Sequence, residues 1–510
     1  MTERFDAIVI GAGANGLTAA AAIARSGLRV LVLEGADAIG GLGRLEEFAP
    51  GFRASPVGAD AGWVPPIVSR GLGLERLERV EPETSITLGI EPGAFLSIPR
   101  DAARAASVIR PHSTRDADAW PAFTVRLARL AGFLEQVYQL PPPDIDTSDP
   151  GDLARLARLG WTFRGLGRES MIEFLRQMPQ SVRDTLDDWF EWEPLKAAVA
   201  ATSAQDSRRG PIAAGTTFAL LHRLAGAAPG DVRNGGWWRA GPDAFLRAAE
   251  DAARKSGAVV RTGAAVAHIV VRDDAVAGVT LANGEEIAAP AVLSTADPAR
   301  TLLGLVDPVW LDPEFLHAVQ NIKFRGTATT ILYALDELPG ARALGQADEN
   351  ALAGVVTLSS SLEHLERAAD ADKYGTIPEV LHVELSIPSQ RWPALAPAGK
   401  HVAVARAQCT PFALRAAGGA PATWDSARSN AVADTATERI ESFFPGFASR
   451  VRARAVLTPA DLAERYHLTE GAVTHGEIGL DQILFMRPVA GWGRYAMPIA
   501  GLYLGGAGAH

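Results

Sequence analysis

Gly11, Gly13 and Gly16, with Ala14 and Asn15 between the last two, stand ahead of a lone acid at Glu34. Together these residue types can hold a diphosphate and the sugar next to it. Gly11 permits a tight turn. Gly13 has no side chain, so a pyrophosphate can approach its backbone, and Gly16 lets a helix pack closely on a strand. The unpaired N–H groups at the start of that helix then face the phosphates. Glu34 can accept two hydrogen bonds from ribose hydroxyls, and its charge disfavours a 2'-phosphate at the same place. A second glycine turn follows at Gly40 and Gly41, with Gly43 and Arg44 just beyond. It can bring backbone donors and a guanidinium to the pyrophosphate from the other side.

The flanking elements fit these roles. Ala7-Ile8-Val9-Ile10 is a short continuous apolar run, the pattern of a strand buried on both faces of a parallel sheet. Leu17, Ala20, Ala21 and Ala24 recur at helical spacing, and Ser26-Gly27 ends that helix. Val30 to Leu33 is the next strand, with Glu34 at its end. Strand, glycines, helix, strand and acid in this order predict a dinucleotide-binding unit. The second glycine turn favours FAD over NAD, because an extended dinucleotide uses both sets of contacts.

Residues 100–234 read as mostly helical, with Leu127, Leu130, Leu134 and Val137 at three- and four-residue spacing and Pro141-Pro142-Pro143 ending the stretch. Met171, Phe174, Leu175 and Met178 form another short apolar stripe. The segment from Asp187 to Trp192 sets Trp189, Phe190 and Trp192 beside acids. It is read as core or subunit contact, as the lining of an apolar tunnel, or as a docking surface. Parallel-sheet patterning resumes near residue 235. Gly241-Pro242 opens a helix through about Lys255, and short strands follow at Val259-Val260, Val266 to Val271, Val276 to Leu281 and Ala291 to Ser294. The backbone near Val266 is the candidate adenine contact. Leu381, Val383, Leu385 and Ile387 alternate with His382, Glu384 and Ser386, which predicts a half-buried strand.

The whole-chain numbers narrow the function classes. At 510 residues the chain needs two or three cores. Lys+Arg total 49 and Asp+Glu 59, a formal charge of -10 without a basic block, which argues against nucleic acid as a partner. Cys409 is the only cysteine, so an intrachain disulfide or redox-active pair is excluded and a reducing compartment is expected. The first six residues run directly into the first apolar strand, so a leader segment is not expected. No apolar run reaches the roughly 18 residues of a membrane span. A cytoplasmic protein is expected, with peripheral membrane contact left open. No zinc motif, nucleophile elbow or Walker A loop is present, and no metal is expected.

The carboxyl end carries His475, Asp481, Arg487, Trp492, Arg494 and Tyr495, then Pro498 to His510 with Gly505, Gly506 and Gly508. Together with Gly11 to Glu34 and Ser294-Thr295-Ala296-Asp297-Pro298, this resembles the phytoene desaturase-like FAD-dependent oxidoreductase family. The nearest branch is that of pyridine nucleotide-disulfide oxidoreductase domain-containing protein 2. The resemblance implies an α/β fold: an FAD-binding Rossmann-like unit of the glutathione reductase/amine oxidase type with an interleaved mixed α+β substrate domain. The expected division is 1–99, 235–300 and 480–510 for the FAD-binding parts, 100–234 for a helical substrate region, and 301–479 for a substrate domain. The resemblance places cofactor roles on Gly11, Gly13, Gly16, Glu34, Gly40, Gly41 and Arg44, and brings Gly505 to Gly508 to the pyrophosphate and ribityl chain. Family members continue past the equivalent of His510 with Pro and several glycines, so either a truncated third part or an unusual flavin site is expected.

The expected activity is hydride or two-electron transfer between flavin and a mainly apolar substrate, polyene or isoprenoid in kind, with oxygen, a quinone or a protein as electron acceptor. Two alternatives accompany it: a flavin-stabilised regulatory module docking through Trp189 to Trp192, and an FAD-dependent amine oxidase. His475, Arg487, Trp492 and Tyr495 are the substrate-side candidates because they flank the terminal glycines. Arg487 is read as a carboxylate ligand or as a lock onto Asp481. Trp492 and Tyr495 are read as stacking near the flavin or filling a domain junction.

Overall fold

The computed structural model describes residues 4–58, 61–91, 94–143, 147–338, 352, 354–416 and 418–510. The leading residues Met1 to Glu3, read above as running into the first strand, lie outside these. Five parallel strands form one sheet in the order Leu502–Leu504, Val292–Ser294, Ala7–Ile10, Val30–Leu33 and Val259–Arg261. Strands drawn from both ends of the chain and from its middle thus share one core. Ala7–Ile10 and Val30–Leu33 are buried at every position, as their continuous apolar runs require. Helix Ala14–Arg25 covers one face through Leu17, Ala20, Ala21 and Ala24, and helix Ala244–Lys255 packs beside it through Ala249, Ala252 and Ala253. Pro242 lies ahead of that second helix rather than at its first position. A three-stranded antiparallel sheet, Val266–Arg272, Ala275–Leu281 and Glu286–Ala288, lies between the third and fourth parts of this module in sequence.

A second sheet has seven strands in the order Val451–Leu457, Ala328–Leu335, His401–Gln408, His382–Ser386, Val355–Thr357, Thr84–Glu91 and Ala94–Pro99. Its pairs are antiparallel except where Val355–Thr357 meets Thr84–Glu91. The last two strands correct the sequence reading of 1–99 as one cofactor piece, because residues 84–99 hydrogen-bond into this larger sheet. Helix Ser426–Phe443 backs it through Val432, Ala433, Ala436, Ile440 and Phe443.

The helical region runs from Ala102 to Arg223. Its central helix, Glu193–Ala204, is buried at every position from Leu195 to Ala204. A helix that is apolar or small on all sides is one enclosed by neighbours, and this one contacts strand Thr84–Glu91 and helices Thr216–Arg223 and Leu362–Lys373. The aromatic run is core. Phe190 packs on Trp120 and Phe123, Trp189 meets the edge of Phe123, and Trp192 stacks on His112 at 4.2 Å. Phe190 is fully buried, while Trp189 and Trp192 are half-buried on the rim of this core. Leu175, placed in an apolar stripe above, is 62% exposed.

One correction bears directly on function. Strand His382–Ser386 is not half-buried. His382 and Glu384 are as buried as Val383 and Leu385. The apolar face meets helix Ser426–Phe443, and the polar face is closed over by the end of the helical region and the loop after it: Glu384 accepts from Gln205 and pairs with Arg233. Among the described residues no helix is long and apolar enough to cross a membrane.

Candidate active site

At the carboxyl ends of the parallel strands lies a cradle, a cavity of about 410 Å³. Gly11, Gly13, Ala14, Asn15, Glu34, Gly40, Gly41, Gly43, Arg44 and Val266 all line it. Gly16 works from behind. A Cβ there would lie 1.9 Å from the Gly11 carbonyl oxygen, so glycine is what allows the helix to approach the strand. A Cβ on Gly13 would meet nothing within 4 Å, which leaves its cavity side open for a phosphate. Gly41 brings the second turn against the first, its own Cβ position lying 3.6 Å from the Gly13 Cα. The Glu34 carboxylate accepts from Ala12 N at 2.8 Å and Ala36 N at 3.0 Å. Its orientation is therefore fixed while acceptor capacity remains.

These groups fit the adenosine diphosphate half of FAD. Arg44 reaches the cradle wall, but its guanidinium is also paired with Glu46 at 2.7 Å and Asp37 at 3.6 Å. Glu46 in turn accepts from Tyr466 at 2.6 Å. Arg300 and Tyr466 line the same cavity without having been singled out from sequence. Asp297 is 1% exposed and binds Thr469 through both carboxylate oxygens, at 2.8 and 2.9 Å. It ties the segment after the fourth strand of the sheet to the loop preceding His475.

The cradle shares Asn15, Val473 and Ala507 with a second cavity of about 740 Å³. This one lies between the parallel-sheet module, the helical region and the 473–487 segment. Gly506, at φ +82°, lines it together with Trp63, Tyr138, His222, Arg223 and Tyr495. Gly505 and Gly508 do not: Gly505 bonds to the Ser294 carbonyl at 2.7 Å, and a Cβ on Gly508 would strike Pro298 at 2.5 Å. Tyr138 Oη and His222 Nδ1 are 2.8 Å apart. Burial pushes His222 down to about 3, with Arg223 and Arg487 acting in the same direction. Burial also pushes the Tyr138 hydroxyl up. A neutral imidazole that accepts the tyrosine hydrogen bond at Nδ1 carries its own proton on Nε2. The sequence reading missed this dyad, because its members are 84 positions apart.

Of the four substrate-side candidates, the structure brings two to this cavity. Tyr495 lines it, its hydroxyl 2.9 Å from His510 Nδ1. Arg487 lines it too, but the lock onto Asp481 is not made. Its guanidinium donates to the carbonyls of Ala507 at 2.8 Å, Gln482 at 3.2 Å, Thr474 at 2.5 Å and Gly476 at 3.4 Å. Asp481 is held instead by Arg209 at 3.1 Å and Lys323 at 3.3 Å. His475 faces the cradle, half-buried, with its buried Nδ1 lacking a hydrogen-bond partner. Burial holds it below the ordinary histidine range, and Asp297 opposes that shift. Trp492 packs edge-on against Phe315 at 5.6 Å and fills the junction below the sheet rather than the cavity wall.

A parallel sheet ending in a glycine-lined dinucleotide cradle, with a helical region closing a cavity beyond it and a second sheet alongside, defines a two-lobed flavoprotein oxidoreductase. Residues 15–337 match the family model of flavin containing amine oxidoreductases. The chain is 33% identical to pyridine nucleotide-disulfide oxidoreductase domain-containing protein 2 of Rattus norvegicus, over 100% of this chain and 91% of that one. Among solved structures it is similar to an oxidoreductase from Methanosarcina mazei (TM-score 0.58, 17% identity, 99% of this chain and 94% of that one). Cyclohexylamine oxidase from Brevibacterium oxydans is similar at TM-score 0.55 and 15% identity, covering 99% of this chain and 95% of that one. The chain belongs to the flavin containing amine oxidoreductase family, as an FAD-dependent oxidoreductase of the branch that includes the rat protein.

Proposed function

We propose that the protein binds FAD along the cradle and oxidises a small polar amine in the 740 Å³ cavity, with dioxygen as the final electron acceptor. The observation that carries this reading is the lining of that cavity. Gln205, His222, Arg223, Asn234, Gln482 and Arg487 stand in it among the aromatic rings of Trp63, Tyr138 and Tyr495. A polyene or isoprenoid would match none of the hydrogen-bonding capacity these groups still have, at a cost of about 1–3 kcal/mol for each group so stranded. A small substrate with its own hydrogen-bonding groups satisfies them. The family to which the chain belongs and the amine-oxidising enzyme of like fold support the same choice.

When bound, FAD supplies the two-electron acceptor. The residues of the chain position the substrate and set its protonation. The guanidiniums of Arg223 and Arg487 on the wall disfavour an ammonium ion, so an amine binds with its lone pair free. His222, kept neutral by burial, cannot protonate it. Loss of a hydride from the α-carbon and a proton from nitrogen leaves an imine, which water hydrolyses to a carbonyl compound and ammonia. Dioxygen takes the two electrons with two protons to give hydrogen peroxide. Trp63 and Tyr495 provide flat walls that limit how the substrate can lie.

Anaerobic mixing of the FAD-loaded protein with a panel of short primary amines, and in parallel with a detergent-solubilised polyene, tests the proposal. Amines are expected to bleach the oxidised flavin and release ammonia when air is admitted. Bleaching by the polyene alone would sink the amine reading and return the substrate to the isoprenoid class.

A further inference from the structure

A smaller pocket of about 170 Å³ adjoins the main cavity and shares Gln205, Arg223 and Arg233 with it. Its floor is the polar face of the large sheet, carrying Glu384, Arg406 and Gln408. Its charges are unevenly matched. Arg233 has Glu384 as a partner at 2.5 Å. Arg223 and Arg406, however, both direct their ion pairs at a single carboxylate, Asp206. Arg406 bonds Asp206 Oδ1 directly, while Arg223 lies 3.9 Å from Oδ2. Arg406 is 9% exposed, and the accessible part of Arg223 faces the two cavities. Two guanidiniums on one carboxylate leave a positive charge inside the protein, and a buried charge is costly unless an anion meets it. The mutual repulsion is visible at Arg223. Burial lowers its pKa, and Arg233 and Arg406 lower it further against Asp206 and Glu384. Arg223 also retains donors beyond the one engaged with the Gln205 carbonyl. Asp206 itself is held at φ +48°, a left-handed backbone that a non-glycine residue adopts only under constraint.

We propose that this pocket is a carboxylate-binding subsite, holding the acid end of a substrate whose reacting carbon lies in the larger cavity near Gly506. The planar fork of Arg223 suits a carboxylate, and Arg406 gives the inner wall the same sign. The inference rests on the amine-oxidation reading and narrows it to small amino acids, with the amine at the flavin end and the acid at the sheet end. It also accounts for a strand, His382–Ser386, whose polar side is buried where its alternation predicts solvent.

Calorimetric titration of the FAD-loaded protein with hexanoate, hexanamide and inorganic phosphate tests the subsite without turnover. Hexanoate is expected to bind at least about tenfold more tightly than hexanamide, a difference of about 1.4 kcal/mol. That preference should weaken in Arg223→Gln and disappear in Arg223→Gln with Arg406→Gln. Flavin content and circular dichroism of the variants establish that they are folded. If they do not fold, the comparison of hexanoate with its amide on the unaltered protein still decides. Equal affinities overturn the subsite, and so does tight phosphate binding without carboxylate binding. A second arm separates this inference from the reading beneath it: 4-aminobutanoate is expected to bleach the flavin faster than butylamine. If hexanoate binds as described while no amine bleaches the flavin, the oxidation reading fails and the anion site stands.

Discussion

Glu34 works as a residue through two backbone bonds that fix its carboxylate and leave it able to accept more. Ala12 N and Ala36 N hold one oxygen each. In Glu34→Gln one of those N–H groups would face an amide NH₂, and the charge that suits ribose hydroxyls would be gone. FAD affinity is expected to fall by about ten- to a hundredfold, the worth of one or two charge-assisted hydrogen bonds. Titration of the apoprotein with FAD measures it, and affinity unchanged within about twofold would remove Glu34 from the ribose. At this scale the sequence was readable wherever the chemistry is local. Gly11, Gly13, Gly16 and Glu34 act within one strand–helix–strand unit, so their spacing carries their roles. Tyr138, His222, Arg223 and Arg406 meet only after two lobes close on each other, and nothing in their own segments marks them. Nearness in sequence to the terminal glycines drew attention to His475 and Trp492. The backbone instead turns His475, at φ +54°, toward the cradle and carries Trp492 to Phe315.

The terminal strand and its glycine turn depend on one side chain. Arg487 is 3% exposed and donates to the carbonyls of Thr474, Gly476, Gln482 and Ala507, fastening three separate stretches of backbone where the cradle meets the main cavity. Burial lowers its pKa to about 10, so it remains a cation at neutral pH and its hydrogen bonds stay charge-assisted. Arg487→Met fills similar space but orphans those carbonyls. A loss of about 2–4 kcal/mol is expected, with a thermal midpoint lower by about 2–4 °C. The same variant should hold less FAD, because Ala507 belongs to both cavities. Melting followed by circular dichroism, with flavin content measured on the same sample, checks both. An unchanged midpoint would show that water or neighbouring groups replace the guanidinium. The period of an element was legible at this scale, but not always what its faces meet. The alternation in 381–387 does mark a strand. That its polar side meets Gln205 and Arg233 instead of solvent depends on a helical region more than a hundred residues earlier.

Across the whole molecule, several imidazoles are held in surroundings that disfavour their charged form, and this makes stability depend on pH in a direction that can be worked out. Burial pushes His222 down to about 3, and His382 and His510 each to about 4. In the unfolded chain each histidine takes up a proton near its ordinary value of 6.5, while in the folded protein it stays neutral until far lower pH. The unfolded state therefore binds more protons in that interval, and folding stability falls as pH drops through it. Asp372 acts the other way. Burial raises it to about 7, with Arg208 opposing, so between about 7 and its ordinary 3.8 the folded state holds the extra proton. These three histidines, with His364, His401 and His475 lowered by burial in the same direction, outweigh the one aspartate and leave a net loss of stability from about pH 6.5 down to about 4. Glu384 extends the loss. Burial would raise its pKa, but Arg233 outweighs burial and brings it to about 2, so its contribution is present above about 4.5 and lost as pH falls toward 2. Thermal midpoints at pH 7.5, 6 and 5 are expected to decline in that order, and His382→Asn should make the decline shallower by removing one of the three buried imidazoles. A midpoint that holds steady or rises on acidification would mean these histidines are reached by water, and the desolvation that keeps His222 neutral on the wall of the substrate cavity would not exist in solution.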